Sequence, residues 1–394
     1  MEPQLRIGVV AACPFPLARG TPVRILRMAE ALADRGHEVH VATYHLGSGP
    51  VAPAVRVHRI RDVPAYRKLS PGPSYRKLVQ VDPLLARLLR QLLRELSFDV
   101  LHVHHYEGAI VGAMARRGLG VPMVYDAHTL LMSELPFYPL GLPAGVKRAL
   151  GVWLDRSIPR LADHTVTVTQ TIRDRLVNDA GMSPERVTVI SNGVEFEHFD
   201  PSAYPRAPET RPPTLVFTGN LAEYQGIDLM LKAFARVVQR VPAVRLMIGS
   251  DSPFAPYEAL ATRLGIRDRI DLIHVPAFAE LPGLLARGDV ALNPRVDCDG
   301  VPVKLLNYMA AARPVVSFDS SAPGVTHGDT GWLARSGDTD EFADGVVELL
   351  ENRRKAEHIG RAAREFVAQN FRWPVVAERC EALYNRLIAE RKGR

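Results

Sequence analysis

The sequence predicts an α/β protein made of two doubly wound domains with parallel sheets. Short β-type apolar runs alternate with helical ones, a proline-rich break divides them into two sets, and 394 residues exceed one ordinary core. Hydrophobic content of 47% and charged content of 23% are those of a globular chain. No apolar run reaches the length that spans a bilayer.

The first set of strand candidates reads RIGVVAA, EVHVATY, VRVHRI, VLHVHH, PMVYDAH, HTVTVT and VTVISN. The second reads TLVFTG, RLMIGS, RIDLIHV, VALNP, PVVSF and GWLA. Many of these runs are nearly continuously apolar, as strands buried on both faces by helices must be. ILRMAEALADRG and GIDLMLKAFARVVQRV carry clear helical periodicity. The break is DPSAYPRAPETRPP, residues 200–213, with five prolines and no apolar period. The expected domains are thus 1–199 and 214–374, each binding ligand at the carboxyl ends of its strands, with a cleft between them.

Three widely spaced cysteines, Cys13, Cys298 and Cys380, argue for a reducing compartment without a disulfide framework. Val10-Ala11-Ala12-Cys13 imitates a lipoprotein cleavage box, but the apolar run before it is short and Glu2 spoils a basic leader. A first strand explains it better, and a cytoplasmic protein is expected. The net charge is +6, and residues 56–94 hold ten basic residues against two acidic ones. That stretch ends in VDPLLARLLRQLLREL, so it suits peripheral contact with an anionic membrane. A solvated helix packing on its own domain through its leucines explains the same pattern. Nucleic acid is not an expected partner.

Two helix starts carry a cation where the dipole disfavours one. Ala18-Arg19-Gly20-Thr21-Pro22-Val23-Arg24 follows the first strand, with Thr21 as expected N-cap, Pro22 as first helical residue and Gly36 as the stop. Lys304 lies in the first turn of a helix expected to begin at Pro302. An anion bound at both helix beginnings answers the conflict. Neither GxGxxG nor GxxxxGK[ST] is present, which excludes the dinucleotide fingerprint and the P-loop. His102, His104 and His105 lack a nearby carboxylate or cysteine cluster in the sequence, so no metal is expected. Asp126 and His128 share a strand face near its carboxyl end. Trp153, Trp332 and Trp373 read as packing residues.

VTVISNGVEFEHFDP, TGNLAEYQGIDLMLKAF, ELPGLLARGDVALNP, DGVPVKLLNYMAAARPVVSFD and GDTGWLARSGD, in this order, resemble glycosyltransferase family 4, the retaining group with the GT-B fold. RGHEV, VYDAH and the tail FRWPVVAERCEALYNRLI are also similar, so the resemblance spans nearly the whole chain. It implies two Rossmann-like domains, with the segment 375–394 packing back on the first. It implies a nucleotide-sugar donor, UDP- or GDP-linked, and no cofactor. Gly20 and Thr21 match the loop that meets the diphosphate, and His128 the histidine near the sugar, with Asp126 beside it. Asp299 and Asn307 stand where the family has paired glutamates. Gly300, Val301, Pro302 and Val303 would offer amides at the helix start, and His274 and Val275 lie where the base rests. The family's arginine and lysine after the first strand of domain two are here Asn220 and Gln225. Arg19, Arg24, Arg295 and Lys304 are the candidate replacements for that lost charge.

The resemblance implies sugar transfer to a lipid-linked or polysaccharide acceptor, in cell-envelope glycan synthesis, on the cytoplasmic face. In the family's front-face scheme the protein stabilises the leaving diphosphate and positions the acceptor. A silent scaffold that binds nucleotide or a partner is the alternative, motivated by the altered pairs. A nucleotide-sugar epimerase or hydrolase shares the donor pocket but needs no acceptor site.

Overall fold

The computed structural model describes residues 3–17, 20–69, 72, 74–138, 141–204, 210–275, 278–296 and 302–393. They fold into two compact units, Met1–Gly193 with Trp373–Arg394, and Val194–Arg372.

Unit 1 holds the strands β1 (Arg6–Ala11), β2 (Glu38–Thr43), β3 (Val55–Arg59), β4 (Val100–His104), β5 (Met123–Ala127), β6 (His164–Thr167) and β7 (Val187–Val189). They form one sheet in the order β3-β2-β1-β4-β5-β6-β7, and every pairing is parallel. Its helices are α1 (Gly20–Asp34), α2 (Asp82–Glu95), α3 (His105–Arg116), α4 (Leu131–Glu134), α5 (Ala144–Ser157) and α6 (Gln170–Asn178). All residues of β4 and β5 are buried, as expected of strands covered on both faces. Gly36 stops α1 in the left-handed region, at φ +93°, where a side chain is strained.

Unit 2 holds β8 (Thr214–Thr218), β9 (Arg245–Gly249), β10 (Ile270–Ile273), β11 (Val290–Asn293), β12 (Val315–Phe318) and β13 (Trp332–Ala334). Their order is β10-β9-β8-β11-β12-β13, again parallel throughout. The helices are α7 (Ile227–Arg240), α8 (Ala255–Arg263), α9 (Leu281–Ala286), α10 (Val303–Ala310), α11 (Thr339–Glu351) and α12 (Arg353–Asn370). Strand order reverses between β1 and β4 in unit 1, and between β8 and β11 in unit 2. Loops diverge at such reversals and leave a crevice at the carboxyl ends.

The final helix, α13 (Trp373–Lys392), returns to unit 1. Its Cys380 Sγ lies 3.9 Å from Met28 Sδ on α1, and Tyr384 is fully buried. The Trp373 ring lies where a Cβ on Gly193 would stand, so only glycine fits there.

Several expectations change. The boundary between units falls at Gly193, not 199, because Phe199 is buried in unit 2's core and Arg364 lies 4.0 Å over the Phe196 ring. Residues 205–209 of the expected linker lie outside the described residues. The leucines of α2 do not form a free apolar face: Leu85, Leu89, Leu92 and Leu93 are buried in unit 1's core. Burial of those side chains is worth more than leaving them at a surface. Trp153 is 61% exposed and does not pack. Among the described residues, no helix is long and apolar enough to cross a membrane.

Candidate functional site

In unit 1 the crevice at the reversal is a cavity of about 410 Å3. Pro14 and Leu17 of the β1–α1 loop, Gly20 and Thr21 of α1, and His105, Tyr106 and Glu107 of α3 line it. A larger hollow of about 820 Å3, lined by Asp163, His164 and Arg386, lies near the amino end of β6, opposite the end where such sheets bind ligands. The smaller cavity is the better site.

Helix α1 begins at Gly20, at φ +52°, so Thr21 and Pro22 lie inside the first turn instead of capping it. Thr21 Oγ1 is hydrogen-bonded to His105 Nε2 at 2.7 Å. His105 itself opens α3 at φ +61°, a strained conformation for a side-chain-bearing residue. Its ring stacks on that of His128, with centroids 4.8 Å apart. Burial holds the His105 imidazole below its ordinary pKa, and holds that of His128 well below it.

Arg24 faces a carboxylate of its own unit, not the cavity. Its guanidinium is buried and donates to Asp126 Oδ2 (Nε, 3.0 Å), Ser191 O (2.9 Å), Asn192 Oδ1 (3.2 Å) and Ile190 O (2.8 Å). The dipole conflict at α1 is resolved internally, by a carboxylate from β5. Asp126 is fully buried and presents no surface to the cavity. Burial alone raises its pKa, yet Arg24 and the neighbouring imidazoles hold it well below the carboxylate range. His128 is the part of the expected pair that remains partly exposed. It receives support from behind, since His104 Nδ1 and His128 Nε2 share a hydrogen bond of 3.0 Å.

His102, His104 and Asp126 place one donor atom each within 4.8 Å of one another, one such group among the described residues. Two of the candidate ligand atoms are already engaged. Asp126 Oδ2 already takes the Arg24 cation, and His102 Nδ1 is bonded to Tyr384 Oη at 2.5 Å. A second cation there would meet the first.

Unit 2 gathers its polar residues at the β8–β11 reversal. Gln225, following β8, lies buried with Nε2 3.4 Å from Asn220 Oδ1. Lys304 Nζ donates to Gln225 Oε1 at 2.5 Å and stands 4.2 Å over the Phe217 ring. An amide oxygen and an aromatic face hold this lysine at the helix start. Arg295, following β11, stacks 4.9 Å over the Tyr224 ring, whose hydroxyl accepts from Asn220 Nδ2 at 2.9 Å. Gly226 makes this closeness possible. Its φ is +72°, and a Cβ there would stand 2.1 Å from Pro294 O.

Pro302 precedes the helix as its N-cap, and α10 starts at Val303. Asn307 is buried. Tyr308 belongs to the core, with its hydroxyl accepting from Thr218 N at 2.7 Å. His274 pairs with Asp251 at 3.2 Å and is largely exposed, and Val275 follows it at the carboxyl end of β10. Arg19, Asp299, Gly300 and Val301 lie outside the described residues.

Sequence reasoning missed the unit 1 cavity's own chemistry. Lys77 looked like one of many surface cations, yet it forms a buried ion pair with Glu107. Glu107 was findable, because it lies three residues past the end of β4 at a reversal.

The chain matches two family models, Glycosyltransferase Family 4 over residues 18–198 and Glycosyl transferases group 1 over 212–352. The D-inositol 3-phosphate glycosyltransferase of Nocardia farcinica is 27% identical, over 98% of this chain and 91% of that protein. That of Mycobacteroides abscessus is 28% identical, over 98% and 90%. Among solved structures, sucrose-phosphate synthase from Thermosynechococcus elongatus superposes with a TM-score of 0.76 at 19% identity, covering 98% of this chain and 100% of its own. Anabaena Alr3699/HepE in complex with UDP gives 0.71 at 18% identity, covering 97% and 100%.

Proposed function

This chain belongs to glycosyltransferase family 4 and is a glycosyltransferase with the GT-B fold, and we propose that it moves a hexose from a UDP-sugar to a sugar or cyclitol hydroxyl, retaining the anomeric configuration. The observation that carries this reading is the polar cluster of Asn220, Gln225, Arg295 and Lys304 at the β8–β11 reversal. Lys304 and Arg295 supply the leaving diphosphate with the cations that Asn220 and Gln225 do not. Charge-assisted bonds from such groups are worth about 1.5–3 kcal/mol each. Asp299, Asn307 and the amides of Gly300 to Val303 complete the donor site in this proposal, with the base near His274 and Val275. A uridine base is favoured because Alr3699/HepE is solved with UDP. Unit 1 is the acceptor side, with His128 beside the transferred sugar.

The acceptor hydroxyl belongs to a small polyol or to the end of a lipid-linked or polysaccharide chain. The curated relatives are named for D-inositol 3-phosphate, which supports including cyclitols in this proposed class. Peripheral membrane contact enters the proposal through exposed Tyr75, Arg76 and Leu78, not through the leucines of α2.

Titration with UDP, GDP and their sugars tests the donor reading, followed by product analysis over an acceptor panel. UDP-sugars are expected to raise Tm, and one acceptor to yield a glycoside of retained configuration. Binding without turnover on any acceptor favours a silent scaffold; release of free sugar favours a hydrolase.

A further inference from the structure

The unit 1 cavity has an unusual charge balance for a relative of enzymes named for a phosphorylated acceptor. Its described ionisable lining has Lys77 as its one ammonium and Glu107 and Glu134 as its carboxylates. Lys77 is spent: its Nζ pairs with Glu107, both side chains being about nine-tenths buried. Behind it, the Tyr44 ring centroid lies 5.7 Å from Nζ, and the Tyr44 hydroxyl donates to Asp82 Oδ1 at 2.5 Å. A second carboxylate therefore stands near the same ammonium. Glu134 accepts from the Tyr138 hydroxyl at 3.2 Å and has further oxygen lone pairs to offer. His105 adds no charge, since burial keeps it neutral. The rest of the wall is aromatic and apolar, with Tyr66, Tyr106, Tyr138 and Leu17.

A phosphate monoester brings nearly two negative charges at neutral pH. It calls for unspent arginine or lysine, and like charges set against it in a shielded site repel it. Hydroxyls and ammonium groups suit this lining instead. Carboxylates accept their protons, and tyrosine faces cover the C–H surface of a ring or attract a cation. The volume is that of a site for a small molecule.

We propose that this cavity binds the acceptor as an uncharged or amine-bearing polyol, a sugar or cyclitol, and disfavours phosphate monoesters. The proposal rests on unit 1 being the acceptor side. It separates this chain from relatives named for a phosphorylated acceptor.

Calorimetric titration of the full chain, with UDP present, tests it against three matched probes: myo-inositol, the aminocyclitol 2-deoxystreptamine, and inositol 3-phosphate. The aminocyclitol is expected to bind at least about tenfold tighter than inositol 3-phosphate, a difference of about 1.4 kcal/mol. Glu134→Gln is expected to shrink that ratio. Inositol 3-phosphate binding as tightly as either other probe overturns the proposal, and so does an absence of binding by all three. UDP titrated alone reports on the donor reading separately. Retained UDP binding with a reversed probe order removes this inference and leaves that reading standing.

Discussion

Arg24 and Asp126 form an ion pair at 2.9 Å, with side chains 3% and 0% exposed, that ties the first helix to the fifth strand. Neither charge has water to fall back on. Removing one partner leaves the other uncompensated, so Arg24→Met or Asp126→Asn is expected to cost about 3–5 kcal/mol in urea unfolding. A loss below about 1 kcal/mol would mean that solvent reaches the pair.

Lys304→Ala is expected to weaken UDP binding by about tenfold or more, and uridine binding far less, as the proposed contact with the diphosphate requires. Titration with both ligands checks this. Equal losses would assign Lys304 to holding Gln225 in place and nothing more.

Stability is expected to fall on the acid side. Burial, aided by Arg386, pushes the His164 pKa down from 6.5 to about 4, and burial holds His104 and His128 well below 6.5. These groups protonate in the unfolded chain before they do in the folded one. Their contribution is thus complete above pH 6.5 and is lost as pH falls through the window from 6.5 towards 4. Tm measured across that window should decline, and His164→Gln should flatten part of the slope. A slope that His164→Gln leaves unchanged contradicts the assignment.

Gly226→Ala places a Cβ against the Pro294 carbonyl in a left-handed conformation. It is expected to destabilise by about 1–3 kcal/mol and to raise KM for the donor, since the β8 and β11 loops must part. Unfolding and steady-state kinetics read the two effects independently. A neutral substitution would show that those loops are free to adjust.

Leu89→Ala is expected to cost about 2–5 kcal/mol, the penalty of a cavity in a core. Chemical denaturation measures it. An exposed membrane-facing leucine would instead give a change within about 0.5 kcal/mol.

The strands were legible because burial on both faces writes itself into composition: VLHVHH and PMVYDAH have no solvent side to encode. The helix-dipole rule found Arg24 and Lys304 but not their partners. It sees one turn of chain, whereas Asp126 is 102 residues from Arg24 and Gln225 is 79 from Lys304. One cation proved internal and the other sits at a strand-order reversal, a difference only the fold decides. The domain boundary was misplaced because proline content marks where regular structure stops. Phe199 had joined the second core before the prolines began. Lys77 was hidden among neighbours of the same charge, and its role depends on Glu107 arriving from another element.

Residues 1–193 and 373–394 share one core, so the second unit is an insertion threaded through the first. The two points of entry and exit are adjacent, since the Trp373 ring sits against Gly193. Ligating 193 directly to 373 would therefore give a minimal single-unit polypeptide that keeps Tyr384 against His102. Cutting after 193 without restoring the last helix would strip the lid from that core. Chimeras of this scaffold are best made by exchanging the insert, not by swapping front and back halves.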